Sequence, residues 1–117
     1  IDFIGSDHAP FTLEEKMQGQ DDIFKAFCGF PGVDTRLPLM LDAAANGKTT
    51  LKRVIELLCT NPAKCFNIYP QKGILAAGAD ADIVIFDMND TMTIDRTKSY
   101  SMAREIARVY DGRELKC

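Results

Sequence analysis

The apolar positions of this chain follow one rhythm up to about residue 70 and another after it. The chain opens on a short apolar run, Ile1-Asp2-Phe3-Ile4, which predicts a buried strand over residues 2–6. Thr12 followed by Glu15 has the form of a capping box, so a short helix is expected from Leu13, broken by Gly19-Gln20-Asp21-Asp22. Phe30-Pro31-Gly32-Val33 places Pro and Gly for a sharp turn. Beyond it, Leu37, Met40, Leu41 and Ala44 fall on one face at helical spacing. They predict a helix over 35–46 that starts near Asp34, carries Pro38 in its first turn and stops at Gly47. Thr49 or Thr50 caps the next helix, 51–59, whose buried side is expected to be Val54, Ile55, Leu57 and Leu58. Asn61 then reads as a fresh N-cap and Pro62 as the first residue of a further short helix ending near Asn67.

After that the pattern changes. Residues 73–82 are a loop of small residues, 83–87 (Ile-Val-Ile-Phe-Asp) predict a strand, Met88-Asn89-Asp90 a turn, and 91–94 a second alternating strand. The tail, 101–116, carries no firm pattern. Helices thus fill the first 70 residues and strands the rest, an order that reads as the end of one domain (1–70) passing into another (71–117).

Composition narrows the functional classes. The 14 basic and 17 acidic residues leave a net charge of −3, which argues against an electrostatic nucleic-acid binder. No apolar run approaches the roughly 18 residues of a membrane span, and no basic-then-apolar signal opens the chain. A cytoplasmic protein with neither nucleic-acid nor membrane partners is expected. Cys28, Cys59, Cys65 and Cys117 form no Cys-x-x-Cys pair and read as reduced thiols, Cys59 and Cys65 as buried apolar residues. The chain enters directly into a strand at Ile1 and ends on Cys117 after a charged run, so it is expected to be a piece of something longer.

Candidate chemistry concentrates in Gly5-Ser6-Asp7-His8-Ala9-Pro10-Phe11. An Asp at the carboxyl end of a strand, followed by His and a turn-forming Pro, stands where a barrel enzyme keeps its reacting groups. Such a carboxylate can bind a metal, act as a base, or do both; it can also simply cap a turn. His8 is the sole His of the chain. Neighbouring strand residues point opposite ways, so with Asp7 as a ligand His8 is expected to have a structural role or to support the ligand from behind. Asp80 and Asp82 alternate at the mouth of a predicted strand and read as turn caps.

Four motifs in order carry a family resemblance: Ser6-Asp7-His8-Ala9-Pro10, then Phe30-Pro31-Gly32-Val33-Asp34-Thr35-Arg36-Leu37-Pro38-Leu39, then Thr60-Asn61-Pro62-Ala63-Lys64, then Lys72-Gly73-Ile74 with Gly78-Ala79-Asp80-Ala81-Asp82-Ile83-Val84. Together they resemble the C-terminal part of a cyclic amidohydrolase, the group of hydantoinases, dihydropyrimidinases, dihydroorotases and allantoinases. The resemblance reaches to about Ile94. It implies an α/β fold: the last strand–helix units of a TIM (β/α)8 barrel followed by part of a small β-sandwich. A full barrel takes about 250 residues, so this chain can hold only its end.

The resemblance also implies a hydrolase that opens a small cyclic amide or imide with two divalent metal ions of zinc type, in a parent enzyme that is a dimer or tetramer. Asp7 matches the family's last metal ligand and proton shuttle, and nothing here matches the other ligands, so Asp7 would be the only ligand in this chain. Cys28 to Gly32 resemble the loop whose backbone holds the ring imide, which marks Cys28, Gly29, Pro31 and Gly32 as substrate-binding. Cys28 stands where hydantoinases often carry Asn. Phe11 stands where dihydroorotases tend to have His for a substrate carboxylate, so Phe points to the hydantoinase and dihydropyrimidinase side; packing under the loop is its other reading. Dihydroorotase and allantoinase are the alternatives, and a metal-free, non-catalytic relative acting as a structural protein is the alternative of another class. A lone barrel end would expose apolar faces, so the isolated chain is expected to self-associate.

Overall fold

A computed structural model describes residues 1–116. The chain divides into two units. One comprises Ile1–Gly5, Met40–Asp90 and Lys116; the other comprises Ser6–Leu39 and Thr91–Leu115. Among the described residues no helix is long and apolar enough to cross a membrane.

The first unit is built on helical turns. It takes residues 40–45 of helix α2 (Val33–Ala45), which begins two residues before its expected start and ends where Gly47 (φ +71°) turns the chain. Pro38 lies in the second turn of α2, deeper than the first turn expected of it. Helix α3 (Leu51–Ile55) is capped by Thr50, whose hydroxyl accepts the Arg53 amide at 3.1 Å, a contact worth about 1 kcal/mol.

The expected restart at Asn61 does not occur. Glu56–Thr60 form a π-helical turn that runs without a break into α4 (Asn61–Cys65). Asn61 has helical dihedrals (φ −70°, ψ −43°), and its amide donates to Glu56, five residues back. The reason lies one residue on. In that wider register Leu57 would receive the amide of residue 62, but Pro62 has none to give. The orphaned Leu57 carbonyl instead accepts the Ile4 amide at 3.1 Å.

This explains why residues 2–6 form no strand. The opening segment is strapped to the helix. Asn61 Nδ2 donates to the Asp2 carbonyl at 2.7 Å and Arg53 Nη2 to that of Ile1 at 2.6 Å. The Ile1 and Asp2 carbonyls and the Ile4 amide are used there and not on a neighbouring strand. Phe3 meets Phe66 edge-on at 5.9 Å.

Leu41, Val54, Leu57 and Ala63 are buried. Val54 and Leu57, three apart, set the inward face of the helix, and residues turned well away from it stay outside. Ile55 and Cys59 are therefore exposed, and Cys65 is exposed too, against the burial expected of all three. Asp42 is buried with its Oδ1 accepting from Asn46 Nδ2 (2.8 Å) and from the Lys116 amide (3.2 Å). Gly73 (φ +82°) presses on the π turn, where a Cβ would stand 2.8 Å from the Cys59 carbonyl oxygen. The loop after it is closed by Lys72, whose ammonium bridges Asp82 (2.5 Å) and Asp80 (3.0 Å). Residues 83–86, expected as a strand, have no ladder partner among the described residues and remain open, with Ile85 93% exposed.

The second unit carries α1 (Leu13–Met17), single 3-10 turns at Ile23–Lys25, Arg96–Lys98 and Arg104–Ile106, and a two-stranded sheet. Strand β1 (Thr91–Thr93) falls where alternation placed it, and its partner is β2 (Glu114–Lys116), in the tail that carried no firm pattern. Ile94 extends the pairing through bonds with Arg113 and Gly112, and Ile94, Ala103 and Leu115 are buried. The capping box of α1 is complete. The Thr12 hydroxyl accepts the Glu15 amide while the Glu15 carboxylate accepts the Thr12 amide at 2.6 Å.

Candidate functional site

The residues singled out from the sequence all lie in the second unit, on two segments that meet. The segment Ser6 to Phe11 runs beside the loop 27–33. The Ala9 amide donates to the Phe30 carbonyl at 3.1 Å, and His8 and Phe30 form a parallel bridge. Gly29 (φ +144°) lies against Ala9, where an added Cβ would come within 2.2 Å of the Ala9 methyl. Only glycine fits so close an approach at such a φ.

His8 is half-buried, and its Nδ1 accepts the Val33 amide at 3.3 Å. Val33 opens α2, so the imidazole serves as the acceptor for a helix-start amide, the structural use expected of it. Pro31 is buried beneath the turn, and the Gly32 carbonyl accepts the Arg36 amide at 3.2 Å. The ring of Phe30 meets Tyr110 edge-on at 5.9 Å.

Asp7 differs from its neighbours. It holds a φ of +46°, a left-handed conformation uncommon outside glycine though tolerated by Asp. Its side chain is exposed and makes no hydrogen bond or ion pair with the described residues. The turn cap that is the ordinary use of such an Asp is therefore absent.

A metal needs three or more donors, and the described residues contain no group of three His, Cys, Asp or Glu side chains placed to share an ion. Asp7 offers one carboxylate. Among the described residues, no second and third ligand stand with it.

The loop shows one feature that the sequence did not disclose. Lys16, in the last turn of α1, sends its ammonium to the loop and donates to the carbonyls of Phe27 and Gly29, the latter at 2.8 Å. It also stands over the Phe11 ring, 5.6 Å from its centroid, and that ring packs on Phe27 at 4.9 Å. A Lys closing a short polar helix reads as a solvated charge. These partners lie 11 and 13 residues away and leave no trace in local pattern. Between the two gripped carbonyls sits Cys28. Its own amide and carbonyl have no partner among the described residues, and its thiol reaches only the Ala26 carbonyl, at 3.9 Å.

The chain is similar to known proteins in sequence and in backbone. The amidohydrolase family model matches residues 1–112. An L-hydantoinase of Paenarthrobacter aurescens is 43% identical over 103 residues, which are 87% of this chain and 22% of that protein. A dihydroorotase of Methanosphaera stadtmanae is 43% identical over 104 residues, 89% of this chain and 23% of that one. Among solved structures, a D-hydantoinase aligns with a TM-score of 0.92 at 34% identity, over 99% of this chain and 25% of its own. The L-hydantoinase (dihydropyrimidinase) from Arthrobacter aurescens aligns with a TM-score of 0.86 at 39% identity, over 99% and 26%. The chain thus spans about a quarter of the length of the relatives it matches. With one family model running from the opening segment through the Asp7 turn to Gly112, this chain belongs to the amidohydrolase family.

Proposed function

We propose that this chain is the C-terminal part of a cyclic amidohydrolase that opens a ring of hydantoin or dihydropyrimidine type. Water adds to a ring carbonyl carbon, the C–N bond breaks, and the nitrogen leaves with a proton, so that one ring and one water give one open-chain acid amide. The observation that carries the reading is the meeting of two segments: an exposed, unpartnered carboxylate at Asp7 beside a loop whose Cys28 amide and carbonyl are both free.

In this reading Asp7 takes the proton of the attacking water and returns it to the leaving nitrogen. Cys28 and Gly29 present main-chain groups to the ring, whose imide edge offers a carbonyl to an amide and an N–H to a carbonyl. Pro31 and Gly32 hold the loop's turn, and Phe11 gives the site no charge that would select a carboxylate. Divalent metal ions, two and of zinc type in our reading, would supply a Lewis acid and an activated water. Asp7 would be one ligand, the others standing in the parts of the enzyme outside this chain.

The architecture that goes with this reading is the end of a TIM barrel in residues 1–70 and strands of a β-sandwich in 71–117, within an oligomeric cytoplasmic enzyme. The TM-scores of 0.86 and 0.92 to hydantoinases support it. A dihydroorotase activity is the second reading, favoured by the 43% identity to the Methanosphaera stadtmanae protein and weakened by Phe11. A metal-free structural role is disfavoured by Asp7, which keeps an uncommon φ while its side chain has no partner among the described residues.

The test is ring opening by the full-length enzyme on hydantoins, dihydropyrimidines and dihydroorotate, before and after chelation and return of zinc. Opening of the first two classes, lost on chelation and restored by metal, is expected. Turnover of dihydroorotate alone would favour the second reading, and no turnover of any ring would overturn both.

A further inference from the structure

We propose that Lys16 is a positioning residue that aims the main chain of Cys28 at the substrate ring, an inference that rests on the activity proposed above. A trans peptide is planar, so the amide of residue 28 points opposite to the carbonyl of residue 27. By drawing the Phe27 carbonyl toward its ammonium, Lys16 turns the Cys28 amide the other way. The second grip, on the Gly29 carbonyl at 2.8 Å, fixes the peptide on the far side. The Cys28 carbonyl lies between the two pinned planes and is left free, as is the Cys28 amide.

One side chain thereby holds a donor and an acceptor from the same residue in a set orientation. Those are the two groups that the edge of a cyclic imide requires. The grip is itself held: the capping box Thr12–Glu15 fixes α1, and Phe11 and Phe27 pack together beside the ammonium. A charged donor suits the task, because hydrogen bonds from an ammonium to a carbonyl are stronger than neutral ones.

The test is made in the full-length enzyme with a pair of substrates, hydantoin and its N3-methyl derivative, which lacks the imide N–H. The wild-type enzyme is expected to prefer hydantoin in kcat/KM. Lys16→Met keeps the length of the side chain and removes the donors. It should lower kcat/KM for hydantoin about tenfold or more, as loss of a charged hydrogen bond does, and flatten the preference over the methylated ring. Lys16→Gln reaches at most one of the two carbonyls and is the milder variant, expected to lose part of the preference if Lys16→Met does not fold. A merely structural lysine would lower thermal stability and slow both substrates alike. Full wild-type preference in either variant would overturn the inference while leaving the proposed activity standing. A wild-type enzyme that opens no cyclic imide would overturn the activity, and this inference with it.

Discussion

Gly29 and Ala9 stand so close that a Cβ on the glycine would lie 2.2 Å from the Ala9 methyl, nearer than side-chain carbons come. Two stretches that the sequence keeps twenty residues apart are held together by this contact, by the Ala9–Phe30 hydrogen bond and by the His8 acceptor at the start of α2. Consequences follow for the loop, the carboxylate and the stability of the chain.

Gly29→Ala forces apart the Asp7 turn and the loop, and also places a side chain at φ +144°. Strain of this kind costs about 1–3 kcal/mol. Denaturant unfolding of the full-length variant should show that loss. Ring-opening activity should fall further than stability alone accounts for, because Cys28 moves with its neighbour.

Asp7→Asn separates chemistry from structure. The side chain has no partner among the described residues, and Asn tolerates a left-handed φ as well as Asp does. Stability should stay within about 0.5 kcal/mol of the wild type, the usual range for an exposed substitution. Activity should fall by about a hundredfold or more, the contribution of a positioned proton carrier. Full activity in Asp7→Asn, measured beside an unchanged melting curve, would remove Asp7 from the mechanism.

The capping box of α1 gives a pH signature. Hydrogen bonds from the Thr12 amide, and then from its hydroxyl, hold the Glu15 carboxyl below its ordinary value of 4.5. A depressed carboxyl stabilises the fold above its unfolded value and loses that contribution as pH falls through the lower, folded one. The Thr12 amide resonance should therefore report loss of the cap below about pH 4.5. Glu15→Gln should abolish that step. Because Lys16 sits on the same helix, loosening of α1 should also loosen the loop at 27–29.

The chain expressed by itself should self-associate. Residues 83–86 are open, with Ile83 61%, Val84 64% and Ile85 93% exposed, and an unpaired apolar segment of this composition recruits a neighbour. Light scattering on a sizing column should show species larger than the 13.0 kDa monomer. Ile85→Lys should shift the distribution toward the monomer. A sharp, monomeric thermal transition in the unsubstituted chain would contradict the expectation.

Local chemistry by itself determined much of this molecule. The capping box at Thr12, the stop at Gly47 and the cap at Thr50 each rest on one residue meeting the backbone within a few positions, and all appear as read. The motif order was enough to point to the amidohydrolase family. Tertiary structure decided the rest, because the deciding partner lay far along the chain. Asn61 looks like a helix start, but Pro62 withholds an amide from the π turn, and the freed Leu57 carbonyl takes Ile4 out of any sheet. The segment 83–87 has strand-forming residues and no ladder partner among the described residues, since a ladder is made by two segments and never by one. Lys16 shows the same limit at the site. Its sequence neighbours make it a surface charge, and only folding brings the Phe27 and Gly29 carbonyls within its reach.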